Sequence, residues 1–118
     1  MPDAPKVVTQ TIKDVTVVDI LEARLIDGPS IEAIGEELFK LVDRMNCRKL
    51  VLDFTKVQFL SSAALSVLME LRKKSAAIKG AFVLCGLSPD LMKVFEITKL
   101  NKLLQFAPDE DQAVAMLG

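Results

Sequence analysis

The chain has 118 residues, 51% of them hydrophobic and 26% charged, a balance that suits one domain folding without disulfide or metal staples and excludes a disordered chain. Its 15 basic and 16 acidic residues nearly cancel, so there is no field to hold nucleic acid or an anionic membrane, and neither is expected as a partner. His, Trp and Tyr are absent, which removes the commonest general base and metal ligand: an enzyme could work only through carboxylates or lysines, and no catalytic residue, metal or cofactor is expected.

Residues 1 to 5, with Pro2 and Pro5, read as a frayed lead-in without the apolar stretch of a secretion signal. Lys6 to Ile12 and Val15 to Leu21, rich in Val, Ile and Thr and separated by Lys13 and Asp14, predict two antiparallel strands joined by a tight turn. Alternation is cleaner in the first (Val8, Gln10, Ile12), so the second is expected to be buried on both faces. Asp27, Gly28, Pro29 and Ser30 then open a helix, with Gly28 or Ser30 as its cap and Glu32 placing a negative charge in the first turn. Ile31, Ile34, Leu38, Leu41, Val42 and Met45 recur at helical spacing, while Glu32, Glu36, Glu37, Lys40, Asp43 and Arg44 fall mostly opposite. That is a surface helix covering a sheet, its charges a solvated outer face.

The stretch Lys49 to Gly86 organises the rest. An apolar run, Leu50 to Phe54, passes through the mixed segment Thr55 to Leu60 into a helical pattern starting at Ser61 or Ser62 and running to about Ala77; a second apolar run follows at Ala81 to Cys85. This is a βαβ pattern, with parallel strands and the helix on one face of the sheet. Ala64, Leu68, Leu71 and Ser75 mark one stripe of the helix, and Leu65, Val67 and Met69 widen it. So broad an apolar face expects a helix wedged between the sheet and another element, or partly exposed as a docking surface. Arg72, Lys73, Lys74 and Lys79 collect near its end, where cations complement the helix dipole, and Gly80 fits the stop. Ser61 and Ser62 sit where unpaired N–H groups and the dipole favour an anion, so a hydroxyl there can be a cap, a phosphate acceptor or both.

Ser88, Pro89 and Asp90 open a further helix buried through Leu91, Val94 and Phe95. Leu103 to Phe106 reads as a last short strand, and Pro108 to Asp111 as the acidic opening of a final helix carrying Ala113, Val114 and Leu117. The order β-β-α-β-α-β-α-β-α describes one compact layered α/β structure. Cys47 and Cys85 form no Cys-x-x-Cys pair and have no His neighbours, so they are expected to be buried thiols of a reducing compartment; Met45 and Met69 are expected to pack. No run of about 18 apolar residues could span a bilayer, and a cytoplasmic location is expected.

From about Val15 to Leu117 the chain resembles the STAS family, the sulfate transporter and anti-sigma factor antagonist domain. The most specific portions are LVLDFTKVQFLSSAALSVLMEL and KGAFVLCGLSPDLMKVFEITKLNKLLQF, in which Leu52, Asp53, Phe59, Leu65, Phe95, Thr98 and Leu100 stand at the family's characteristic places. The resemblance implies a four- to five-stranded mixed sheet flanked by about four helices. It also implies a binding role in bacterial partner switching: the unphosphorylated antagonist binds an anti-sigma factor that is a serine kinase, phosphorylation of a serine at the helix start releases it, and a serine phosphatase resets it. Aligned on Leu65, Ser61 stands at the family's Asp, Ser62 at its first Ser, Ala63 at its second Ser, the usual acceptor, and Ala64 at its Gly. Ser62 is therefore the first candidate for phosphorylation and Ser61 the second.

Loop position and helical spacing make Lys56, Gln58, Ser61, Ser62, Ser66 and Glu70 the expected partner-binding residues. The bland alternative is that Ser61 or Ser62 only caps the helix. Other readings are an unphosphorylated scaffold in a signalling assembly, which Ala63 motivates, and a nucleotide-binding domain, disfavoured by the lack of a Gly-x-x-x-x-Gly-Lys loop and by only five glycines. A serine hydrolase would have to use Lys56 or an acid as its base and is remote. A transporter-regulating domain is disfavoured because no membrane part precedes it. A homodimer is left open.

Overall fold

The computed structural model describes residues 6–118, so the lead-in expected at residues 1 to 5 lies outside the described residues. Strands β1 (Val7–Ile12) and β2 (Val15–Ile20) form the predicted antiparallel hairpin, Val7 opposite Ile20 and Ile12 opposite Val15. Lys13 takes φ +59° in the two-residue turn, the left-handed geometry that matches the twist of paired strands. β2 is buried on both faces, as expected, through Val15, Val17, Val18 and Ile20. The alternation read in β1 does not give a buried face: Thr9, Gln10 and Thr11 are exposed and Val8 is 49% exposed. β1 is the outermost strand and packs chiefly on β2, so among the described residues nothing covers its middle.

Helix α1 (Gly28–Asp43) is capped ahead of both proposed residues. Asp27 is the cap, its Oδ2 accepting from the Ser30 N–H at 3.0 Å, while Gly28 is the first helical residue and Ser30 is buried. Glu32 consequently falls in the second turn, and the first turn holds no acid. Met45, expected to pack, lies past the helix end and is 63% exposed, because the chain has already turned away through Arg44.

β4 (Lys49–Asp53), α2 (Ser62–Ala77) and β6 (Ala81–Cys85) are the βαβ unit, with Lys49 opposite Ala81 and Asp53 opposite Cys85 in parallel register. The remaining elements are α3 (Pro89–Ile97), a 3-10 turn (Leu100–Lys102), β7 (Gln105–Ala107) and α4 (Glu110–Leu117). The five-stranded sheet runs β1-β2-β4-β6-β7, antiparallel at β1 and parallel elsewhere, so the α/β class with a mixed sheet and four helices is as expected. A second, two-stranded parallel sheet joins β3 (Arg24–Leu25) to β5 (Phe59–Leu60) and was not expected.

Strand alternation divides the interior in two. Leu50, Leu52, Phe82 and Leu84 meet Leu38 and Leu41 of α1 and Leu68 and Leu71 of α2 on one side; Val51, Val83 and Cys85 meet Ala113 and Val114 of α4 on the other. α2 lies beside α1 on the first of these sides and packs against both α1 and β6. Its basic end is tied down: the Lys74 ammonium lies 2.8 Å from the Asp43 carboxylate and 5.2 Å above the Phe39 ring, and Arg72 Nε donates to the Leu103 carbonyl at 3.0 Å. The left-handed residue after α2 is Lys79, at φ +58°; Gly80 is needed instead because a Cβ there would lie 2.7 Å from the Arg48 carbonyl. Among the described residues no helix is long and apolar enough to cross a membrane.

Candidate docking surface and modification site

The loop that leads into α2 is rooted in a carboxylate. Asp53, buried at the end of β4, accepts from the Thr55 N–H at 2.8 Å and from the Thr55 hydroxyl through Oδ1. The Phe54 N–H donates to the Cys85 carbonyl at 2.9 Å, and Gly86, at φ +73°, lets β6 end against this turn where a side chain would strike Thr55 and Asp53. β3 then pins the rest: the Ala23 carbonyl accepts from the Gln58 N–H at 2.7 Å, and the Leu25 carbonyl from the Ser61 N–H at 2.9 Å. The loop is therefore a fixed platform. Its inward anchors are Phe54 and Val57, both buried.

Ser61 caps α2, its Oγ accepting from the Ala64 N–H at 3.4 Å, and is half-buried. Ser62 is the first helical residue and is exposed, as is Ala63. Ser66 donates to the Ser62 carbonyl at 3.2 Å. Ser62, Ser66 and Glu70, four residues apart, line one exposed side of the helix, and Lys56 and Gln58 are exposed on the loop. Lys56 is engaged, its Nζ 3.7 Å from the Asp19 carboxylate.

Sequence reasoning missed several residues at this tip. Arg24 and Phe59 stand opposite one another in the small sheet, the guanidinium 5.2 Å from the ring centroid, and Phe59 is 51% exposed. Beside them an open groove of about 580 Å³ runs between the loop and the start of α3, lined among others by Ile26, Gln58, Asp90 and Val94. Ile26 and Ile97 are further exposed apolar residues. A Phe directly after the exposed Gln58 and an Ile just ahead of the Asp27 cap were the available signals; the pairing that brings Phe59 to Arg24 is tertiary.

Beneath the platform the charges are crowded. Burial pushes the Asp53 carboxyl up, but hydrogen bonds with Glu110 and with Thr55 outweigh it and hold Asp53 below the ordinary aspartate value. Glu110, at the start of α4, is pushed up to about 7, first by the hydrogen bond it shares with Asp53, then by burial and by the charges of Asp53, Asp19 and Asp111. One proton between two carboxyls is the arrangement this favours. Burial, followed by the nearby carboxylates, raises the Cys85 thiol to about 12, which makes it a packing residue. Cys47 is half-buried and free, with the Thr16 hydroxyl donating toward its sulfur at 3.6 Å, and Met69 is half-buried on α2.

Comparison with known proteins agrees with this architecture. The STAS domain family model matches residues 6–113. BtrV of Bordetella bronchiseptica, named as a candidate anti-sigma factor antagonist, is 31% identical over 91 residues, covering 77% of this chain and 78% of that protein. The solved structure of an anti-sigma factor antagonist from Mycobacterium paratuberculosis superposes with a TM-score of 0.82 at 24% identity, covering 98% of each chain. That of the phosphorylated Bacillus cell fate determinant SpoIIAA superposes with a TM-score of 0.72 at 18% identity, covering 95% of this chain and 99% of that one. With that family model spanning nearly the whole of the described residues, the chain belongs to the STAS domain family.

Proposed function

We propose that this protein is an anti-sigma factor antagonist that works by partner switching. In the unmodified state it binds an anti-sigma factor with serine kinase activity through the Thr55–Leu60 loop and the exposed side of α2, using Lys56, Gln58, Ser61, Ser62, Ser66 and Glu70. Phosphate transferred to Ser62, with Ser61 as the second acceptor, ends the complex, and a serine phosphatase restores it. The chain itself catalyses nothing in this cycle. The names of BtrV and of the mycobacterial antagonist, and the phosphorylated form of SpoIIAA, support the reading.

The observation that carries it is the position of Ser62. Its side chain is exposed, it is the first residue of α2, and the neighbouring Ser61 already supplies the cap. A phosphate there gains the helix N-terminus and leaves the core untouched, yet adds about −1.5 to −2 charges to the surface a partner must desolvate. Ala63, exposed at the next position, has no hydroxyl to offer.

Incubation with ATP and each serine-kinase anti-sigma factor of the same cell, followed by mass spectrometry of the tryptic peptide Val57–Arg72, tests the assignment. A single phosphate on Ser62 or Ser61 is expected; an unmodified peptide with every kinase would refute the switch. The alanine at position 63 favours a second reading, a scaffold that binds without being modified. Loss of partner binding in a Ser62→Glu variant, together with phosphate on the wild-type peptide, would exclude it.

A further inference from the structure

We propose that Arg24 is the regulatory arm of this surface: it leaves the Phe59 ring for a phosphate carried by Ser62, and so couples modification of the helix tip to the state of the exposed aromatic beside it. The proposal rests on the reading of Ser62 as the modified residue.

The geometry comes from the small sheet. Arg24 stands opposite Phe59 and Leu25 opposite Leu60, and the ladder continues one step, with the Ser61 N–H donating to the Leu25 carbonyl at 2.9 Å. Side chains alternate along such strands. Leu25 is buried and Leu60 half-buried against the core, so Arg24, Phe59, Ile26 and Ser61 belong to the outward face. Ser62 lies three residues beyond Phe59, the position facing Arg24: at most about 10 Å along the chain and about 5 Å across the ladder, roughly 11 Å in all. An extended arginine and a phosphoserine together bridge that gap.

Arg24 is also the available cation. Among the described residues it has no carboxylate within ion-pair distance, and its guanidinium rests on an exposed ring, whereas Lys56 is held by Asp19. An exposed cation–π contact is weak beside the paired, charge-assisted hydrogen bonds that a guanidinium makes to phosphate. Phosphorylation would therefore exchange the first for the second. The bare tip offers a partner a positive charge lying on an apolar ring; the modified tip offers an anion with the arginine drawn to it and the Phe59 ring uncovered. An apolar partner pocket bearing a carboxylate fits the first surface and rejects the second.

The test encodes phosphoserine at position 62 in the wild-type chain and in Arg24→Gln and Arg24→Lys variants. Phosphorus NMR titration should place the second phosphate pKa about half a unit or more lower in wild type than in Arg24→Gln, as expected for an exposed ion pair, with Arg24→Lys between them. The Phe59 ring signals should move on phosphorylation in wild type and stay in Arg24→Gln. Identical titrations in wild type and Arg24→Gln, or equal ring shifts in both, would overturn the proposal. Because the phosphate is placed genetically, these results are read independently of any kinase, and a kinase that ignores Ser62 would count against the functional reading alone.

Discussion

Ser61 and Ser62 are adjacent hydroxyls with different surroundings, and substitutions separate them. Removing the Ser61 cap leaves the Ala64 N–H without its side-chain acceptor, so Ser61→Ala is expected to lower stability by about 1 kcal/mol, read by urea unfolding. Ser62→Ala touches no side-chain hydrogen bond of its own, and its midpoint should stay within about 0.5 kcal/mol of wild type, while phosphate incorporation into the Val57–Arg72 peptide falls. A Ser61→Ala chain as stable as wild type would show that the 3.4 Å contact contributes nothing. At this scale the sequence was informative about hydroxyls and poor about their neighbours. Capping follows local rules, so Ser88, the acidic opening of α4 and a cap at Ser61 or Ser62 were legible, whereas at α1 the cap is Asp27 and not Gly28 or Ser30. Arg24 and Phe59 meet only because two distant dipeptides pair.

The contact between β4 and α4 is where pH acts on an element. The folded chain holds the Glu110 proton more tightly than the unfolded chain does, so this contribution is fully present below the ordinary value of 4.5 and is lost as pH rises through about 7. Asp53 works oppositely: its lowered value adds stability above 3.8 that is lost as pH falls through the folded value. Urea unfolding at pH 5, 6, 7 and 8 should therefore show wild type losing stability relative to Glu110→Gln as pH rises, and a constant difference between the two would refute the shared proton. In the core, Leu71 is fully buried between α2 and the sheet, and Leu71→Ala should cost about 2–5 kcal/mol in the same assay. The long periodic segments, α1 and α2, were legible because three or more turns repeat one pattern. β3 and β5 have two residues each, too few for any period. The last strand lies at Gln105–Ala107, later than the apolar run Leu103 to Phe106 suggested, because Lys99 at φ +64° starts a 3-10 turn that leaves Leu103 45% exposed.

Across the whole molecule, the interior and the tip are separable. The large buried side chains lie in two layers against the sheet, whereas Ser62 lies at the exposed end of α2, held through a loop that β3 and Asp53 keep rigid. Charge added there alters what can dock without entering either layer, so phosphorylation should move the thermal midpoint upward by only a few degrees, the gain of an anion at a helix N-terminus. A change in melting as large as that of a core substitution would show that tip and core are coupled. The alternative, a passive scaffold, predicts the same stability but no change in binding.

The most direct measurement is isothermal titration of each serine-kinase anti-sigma factor of the same cell with the unmodified chain and with the chain carrying genetically encoded phosphoserine at position 62. One of them should bind the unmodified chain, and the phosphate should weaken that complex by about a hundredfold or more, the cost of desolvating added negative charge in an interface shaped for the bare tip. Equal affinities for the two forms would contradict the switch, as would a set of kinases none of which binds the unmodified chain.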